Sequence, residues 1–227
     1  MVMKLFLLIA ALSVFVGKIL SQSVHANEHA GFAHADSVLQ WLKTGNNEFV
    51  HSEFNVHGID SSLRMAISKE QHPKAVILTC SDSRVPPELI FNKGLGDLFV
   101  IRVAGNITDD AVVASIEYAV EHLHTSLVVV MGHKNCGAVS AAVRDLQNPD
   151  NKIDDHLRTL TDKIEEAITT VNLKENDLNQ KALLSNVIFT VSSLSKSRPV
   201  LIAAVKKSEL KIVGAVYDLN TGKVEWL

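Results

Sequence analysis

The chain has 227 residues, 47% of them apolar, which is enough material for one continuous core and sits near the upper range for a single domain. Its 22 basic and 25 acidic residues leave a net charge of −3, with no basic stripe carrying interleaved aromatics. That balance argues against nucleic acid as a partner and for a small one.

The first residues differ from the rest. Met1 to Lys4 carry positive charge, Leu5 to Gly17 are almost wholly apolar, and Val24-His25-Ala26 offers small residues at cleavage spacing. This pattern predicts a secretory signal peptide over residues 1–26, removed after export to a bacterial periplasm or beyond. Lys18 interrupts the apolar run before it reaches the ~18 to 20 residues that span a bilayer, so no stable membrane anchor is expected. A polar leader, 27–35, follows, and residues 36–227 form the single catalytic domain.

Asp36 is placed to cap a helix whose apolar positions, Val38, Leu39, Leu42 and Phe49, follow helical spacing. Short apolar runs rich in β-branched residues then predict buried strands at Ala75 to Thr79, Leu98 to Val103, Leu127 to Met131 and Ile212 to Tyr217. Between them lie helical patterns at Asp109 to Leu123, Ala138 to Leu146, Ile153 to Thr170, Leu178 to Leu194 and Pro199 to Lys207. Asn220-Thr221-Gly222 turns the last strand back into Val224 to Leu227 as an antiparallel edge hairpin. Strands alternating with helices give an α/β fold with a mainly parallel central sheet flanked by helices.

Cys80 directly follows the first strand, and Gly132 to Gly137 follows the third, so both land at carboxyl ends of strands, where open parallel sheets build their sites. His133 and Cys136 are three residues apart, close enough to reach one ion from a tight turn, and Cys80 adds a third ligand. A Cys2His set on zinc leaves a fourth position open, the mark of a catalytic zinc. Asp82 could take that fourth place itself, and Arg84 could pair with the carboxylate and hold it off the metal. Cys80 and Cys136 are the only two cysteines, and an oxidising compartment offers them a second fate, one structural disulfide.

Cys80-Ser81-Asp82-Ser83-Arg84, followed by Gly132-His133-Lys134-Asn135-Cys136-Gly137, resembles the paired signature of the β-class carbonic anhydrases. Arg102-Val103-Ala104-Gly105-Asn106, Glu117-Tyr118-Ala119, Tyr217-Asp218 and Thr221-Gly222 extend the likeness over roughly Asp36 to Leu227. Together with the predicted signal peptide, the likeness points to an exported bacterial member of that family, and the resemblance implies one Zn2+ per chain, reversibly hydrating carbon dioxide to bicarbonate and a proton by attack of zinc-bound hydroxide. Asp82 would orient that hydroxide, and Arg84 would keep Asp82 ionised and positioned. In an inactive form, Asp82 would itself occupy the zinc.

By position, Gln71, Phe99, Ala104, Tyr118 and Gly137 would bind substrate, partly across a homodimer or homotetramer interface. Two departures stand out. Val103 replaces an asparagine of many relatives. Ile77 stands where some bacterial members use a tryptophan to hold inhibitory bicarbonate, so that inhibition is not expected here.

Two other functions remain open at this point: a zinc hydrolase of the same fold acting on a carbon dioxide analogue such as carbonyl sulfide, and a non-catalytic, disulfide-linked periplasmic binding protein. A cytidine-type deaminase would need His-x-Glu and Pro-Cys-x-x-Cys, which do not occur. His29, His34, His122 and His124 read as solvated surface histidines.

Overall fold

The computed structural model describes residues 34–53, 60–148, 150, 155–174, 176–197 and 199–227. The signal-peptide segment 1–26, most of the leader, and the expected helix start at Ile153 lie outside these residues.

Five strands form one sheet in the order β2-β1-β3-β4-β5: β1 (Ala75–Thr79), β2 (Leu98–Arg102), β3 (Leu127–His133), β4 (Lys211–Tyr217) and β5 (Val224–Trp226). All pairings are parallel except β4 with β5, which is antiparallel as the Asn220-Thr221-Gly222 turn predicts. The apolar runs are continuous because both faces of the sheet are covered. Val76, Leu78, Val128, Val130 and Val216 join one core with α4 (Asp110–His122), α5 (Gly137–Gln147), α6 (Asp155–Ile168), α7 (Leu178–Lys196) and α8 (Val200–Lys206). The alternate residues Ala75, Ile77, Leu127, Val129, Met131, Ala215 and Tyr217 meet α1 (34–50) on the other face.

Three differences from the sequence-based expectation matter. The helix expected to start after Asp36 is already running at residue 34, so Asp36 is not its cap; its carboxylate instead pairs with Lys211 Nζ. Two short helices, α2 (Ser61–Ala66) and α3 (Pro87–Ile90), were not expected, being too short to carry a period. Strand β3 runs two residues past Met131, because Gly132 and His133 pair with Val216 and Tyr217. His133 is therefore fixed by a ladder rather than by a loop.

Gly132 has a packing reason. A Cβ there would stand 2.7 Å from Leu183 Cδ1 and 2.8 Å from Val187 Cγ2, so its absence is what lets α7 lie close on β3. Among the described residues, no single helix is long and apolar enough to cross a membrane.

Candidate metal centre

Three elements deliver the site. Cys80 leaves the end of β1, His133 ends β3, and Lys134-Asn135 turns the chain so that Cys136 becomes the N-cap of α5. Asn135 sits at φ 57°, a left-handed conformation that asparagine tolerates better than most residues. The Cys80 and Cys136 sulfurs and one His133 ring nitrogen all lie within 4.8 Å of one another, and all three residues are buried.

The donor set fits zinc. Two sulfurs each ~2.3 Å from a tetrahedral ion stand about 3.8 Å apart, and Cys80 Sγ and Cys136 Sγ are 3.9 Å apart. Both cysteines are free, and the sulfurs are far outside the ~2.05 Å of a disulfide. His133 Nε2 is fully buried with no hydrogen-bond partner, while Nδ1 lies 2.9 Å from the Lys134 carbonyl oxygen. Nδ1–H donating to that carbonyl assigns the tautomer and leaves the Nε2 lone pair directed at the cluster. Lys134 is itself held, its N–H donating to the Tyr217 carbonyl at 2.9 Å and its Nζ to Asp218 Oδ2 at 2.8 Å.

The sulfurs are prepared for a cation. A hydrogen bond from Cys136 pulls the Cys80 thiol down to about 4, against burial, with smaller help from the His133 side chain and the Gly105 and Asp82 amides. The same sulfur contact, with burial, holds Cys136 above the ordinary thiol range.

Asp82 stands beside the cluster, its Oδ2 3.8 Å from His133 Nε2. Arg84 grips it through Nε to Oδ1 at 2.9 Å, Nη2 to Oδ2 at 2.7 Å, and the backbone N–H to Oδ1 at 2.9 Å. Those side-chain bonds, foremost, hold Asp82 well below the usual carboxylate range. From β2, Arg102 braces the same loop, donating Nε to the Cys80 carbonyl at 3.2 Å and Nη2 to the Asp82 carbonyl.

Of the five expected substrate residues, one chain brings two to the cluster. Ala104 opens the 3-10 turn Ala104–Asn106, and Gly137 is the first residue of α5, with open space where a Cβ would be. Gln71, Phe99 and Tyr118 lie elsewhere. Gln71 is exposed before β1, Phe99 pairs with Val76 near the other end of the strands, and Tyr118 is 47% exposed with its ring 6.4 Å from that of Phe99.

Sequence reasoning missed the backbone contacts. Gly105 N–H lies 3.4 Å from Cys80 Sγ, and Asn186 Nδ2 donates to the Gly105 carbonyl at 2.8 Å. A backbone amide has no signature, but Asn186 could have been noticed as a lone amide in the apolar stripe of α7.

The carbonic anhydrase family profile matches residues 75–224, from the start of β1 through β4 to the first residue of β5, and takes in every residue of the cluster. The chain belongs to the β-class carbonic anhydrase family. It is 35% identical over 182 residues to carbonic anhydrase 2 of Mycobacterium tuberculosis, covering 80% of this chain and 87% of that one. It is 35% identical over 203 residues to a carbonic anhydrase of Mycolicibacterium smegmatis, covering 84% and 93%. A solved Coccomyxa β-carbonic anhydrase in complex with acetazolamide superposes with a TM-score of 0.66 at 29% identity, covering 74% of this chain and 78% of that one. A tetrameric β-carbonic anhydrase from Sordaria macrospora shares the fold at a TM-score of 0.66 and 24% identity, covering 84% and 97%. The family's members are lyases, and this chain is an enzyme of that kind.

Proposed function

We propose that this enzyme interconverts carbon dioxide and bicarbonate, CO2 + H2O giving HCO3− and H+, with zinc held by Cys80, His133 and Cys136. The observation that carries the reading is the trio of buried donor atoms within 4.8 Å of one another, its two sulfurs at tetrahedral spacing and its histidine nitrogen with nothing else to bind. Bound there, zinc supplies a Lewis acid that makes water nucleophilic near neutral pH.

The rest is the work of the chain. Asp82, kept ionised by Arg84, accepts a hydrogen bond from the attacking water and turns a lone pair toward the substrate carbon. Ala104 and Gly137 border the space beside it, where an apolar substrate enters and a charged product leaves.

The pocket is completed by a second copy of the chain in a homodimer or homotetramer. Strand β2 is at the sheet edge, and its Leu98, Phe99, Val100 and Ile101 are only half-buried, an unprotected apolar edge of the kind that pairs with another chain. Such pairing puts Gln71, Phe99 and Tyr118 against a neighbour's cluster. We also place the mature enzyme in the periplasm or outside the cell, on the strength of the charged, apolar and small-residue order of residues 1–26.

Purified mature protein is expected to carry about one zinc per chain, to behave as an oligomer in light scattering, and to hydrate carbon dioxide in a stopped-flow indicator assay. Full zinc occupancy with hydrolysis of carbonyl sulfide and no hydration would transfer the site to that substrate. A quantitative Cys80–Cys136 disulfide without metal would remove the enzyme reading altogether. Activity confined to the cytoplasmic fraction would overturn the assigned location.

A further inference from the structure

We propose that Asn186 is a positioning residue for the metal-binding sulfur of Cys80: it holds the Gly105 turn whose amide hydrogen-bonds that sulfur. Asn186 sits in the middle of α7, 1% exposed, among the buried Ala182, Leu183, Val187, Thr190 and Leu194. An amide in that stripe is unfavourable unless its donors and acceptors are used. It is used here, with Nδ2 reaching 2.8 Å to the carbonyl of Gly105, 81 residues away in sequence.

The turn it reaches needs an outside hold. Gly105 and Asn106 are consecutive residues in the left-handed region, at φ 75° and φ 46°. Asn106 is fully buried, yet neither its side-chain nitrogen nor its side-chain oxygen has a partner, so its own amide does not pin the turn. Packing supplies part of the hold, since Gly105 lies against Ile164 and Ala138. Within the turn the Asn106 N–H donates to the Val103 carbonyl at 2.9 Å, and the directional hold from outside comes from Asn186, delivered by a helix that Gly132 allows to approach β3.

The consequence falls on Cys80. Gly105 N–H points at Sγ from 3.4 Å, and a hydrogen bond to a thiolate both stabilises its charge and fixes its lone pairs. Without the Asn186 donor, the turn loosens and the sulfur loses that support. Losing a hydrogen bond that orients a metal ligand costs roughly 10- to 100-fold in metal affinity. The inference rests on the zinc reading above.

The test has two arms. In cadmium-113-substituted wild-type protein, the Gly105 amide proton is expected to show scalar coupling to the metal through the N–H···S bond. Absence of that coupling in a metal-loaded chain overturns the proposal without any variant. In chelator competition, Asn186→Leu, and the smaller Asn186→Ala where the leucine variant does not fold, are expected to bind zinc about 10-fold or more weakly. Their cobalt forms are expected to show a shifted thiolate-to-metal charge-transfer band. Thr190→Val, one turn along the same buried face, controls for general damage to α7 and is expected to leave affinity and band unchanged. Equal losses in Thr190→Val, or wild-type affinity in the Asn186 variants, overturn the assignment. A wild-type chain that binds no metal at all fails the zinc reading, a result distinct from either.

Discussion

Replacing Gly105 with alanine tests the turn beside Cys80 directly, and the size of the effect can be worked out in advance. At φ 75° an L-residue costs about 1–2 kcal/mol relative to glycine. The new Cβ would also stand 2.6 Å from Ile164 Cδ1 and 3.3 Å from Ala138 Cβ. Ile164 is fully buried, so its terminal methyl cannot swing into solvent, and overpacking of this type costs about 1–3 kcal/mol. Restriction of the unfolded chain returns about 0.4–1 kcal/mol. The net loss is about 1–5 kcal/mol, a large share of the roughly 5–15 kcal/mol of a typical domain. Urea unfolding of the zinc-loaded protein reads it, with an unchanged m-value as the check on two-state behaviour. Ile164→Val removes the atom that is struck, so the double variant is expected to be at least ~1 kcal/mol more stable than additivity allows. A loss below about 0.5 kcal/mol, or an additive cycle, would refute the argument from φ and contact.

Asp82→Ala is expected to retain zinc, measured by metal analysis, while hydration falls by roughly 10²-fold or more, and unchanged activity would remove Asp82 from the reaction. Because Arg84 depresses the Asp82 carboxyl, the stabilisation from that pair is present above the ordinary carboxylate range and is lost only as pH falls through the depressed value. No titration of Asp82 is therefore expected between pH 5 and 8, and in Arg84→Ala the carboxyl should move back up, as read by carbon-13 NMR of the aspartates. Between α5 and α6, Glu165 is raised first by burial and further by the neighbouring acids Asp145 and Asp162, with Arg158 opposing. A raised acid favours the fold below its unfolded value, and that contribution is lost as pH rises through its folded one. Glu165→Gln should consequently stabilise the protein at pH 8 by about 0.5–2 kcal/mol and give no gain near pH 4, with equal effects at both pH values counting against the contact.

What the sequence made legible follows from where the information sits. Strand β1, Ala75–Thr79, was readable to the residue because burial on both faces demands an unbroken apolar run. The end of β3 was not, since glycine and histidine are weak strand formers and what extends the strand is pairing with Val216 and Tyr217, over 80 residues away. The three donors of the metal centre lie in two short motifs at strand ends, so residue type and placement sufficed. Their support does not behave that way. The Lys134 carbonyl that orients His133 and the Gly105 amide that meets Cys80 are backbone groups, identical in every residue but proline, and only folding aims them.

The pocket residues mark the sharpest limit of reading a single chain. Phe99 faces Val76, while Cys80 follows Thr79, whose partner is Arg102. Cys80 lies four residue steps beyond Val76, the partner of Phe99, about 13 Å at ~3.3 Å per residue, more than a three-atom substrate can bridge. Gln71 lies further still in the same direction, before β1 begins, and Tyr118 packs against Phe99 rather than against the Cys80-His133-Cys136 cluster. If these three side chains touch substrate, it is the substrate held by another copy, and the half-buried β2 edge is the seam that brings them there. The proposed metal ligands and the Asp82–Arg84 pair lie within one chain, so on this reading dissociation would leave a subunit that keeps its metal and loses its pocket. Activity per zinc, rather than zinc content, then becomes the quantity that reports assembly.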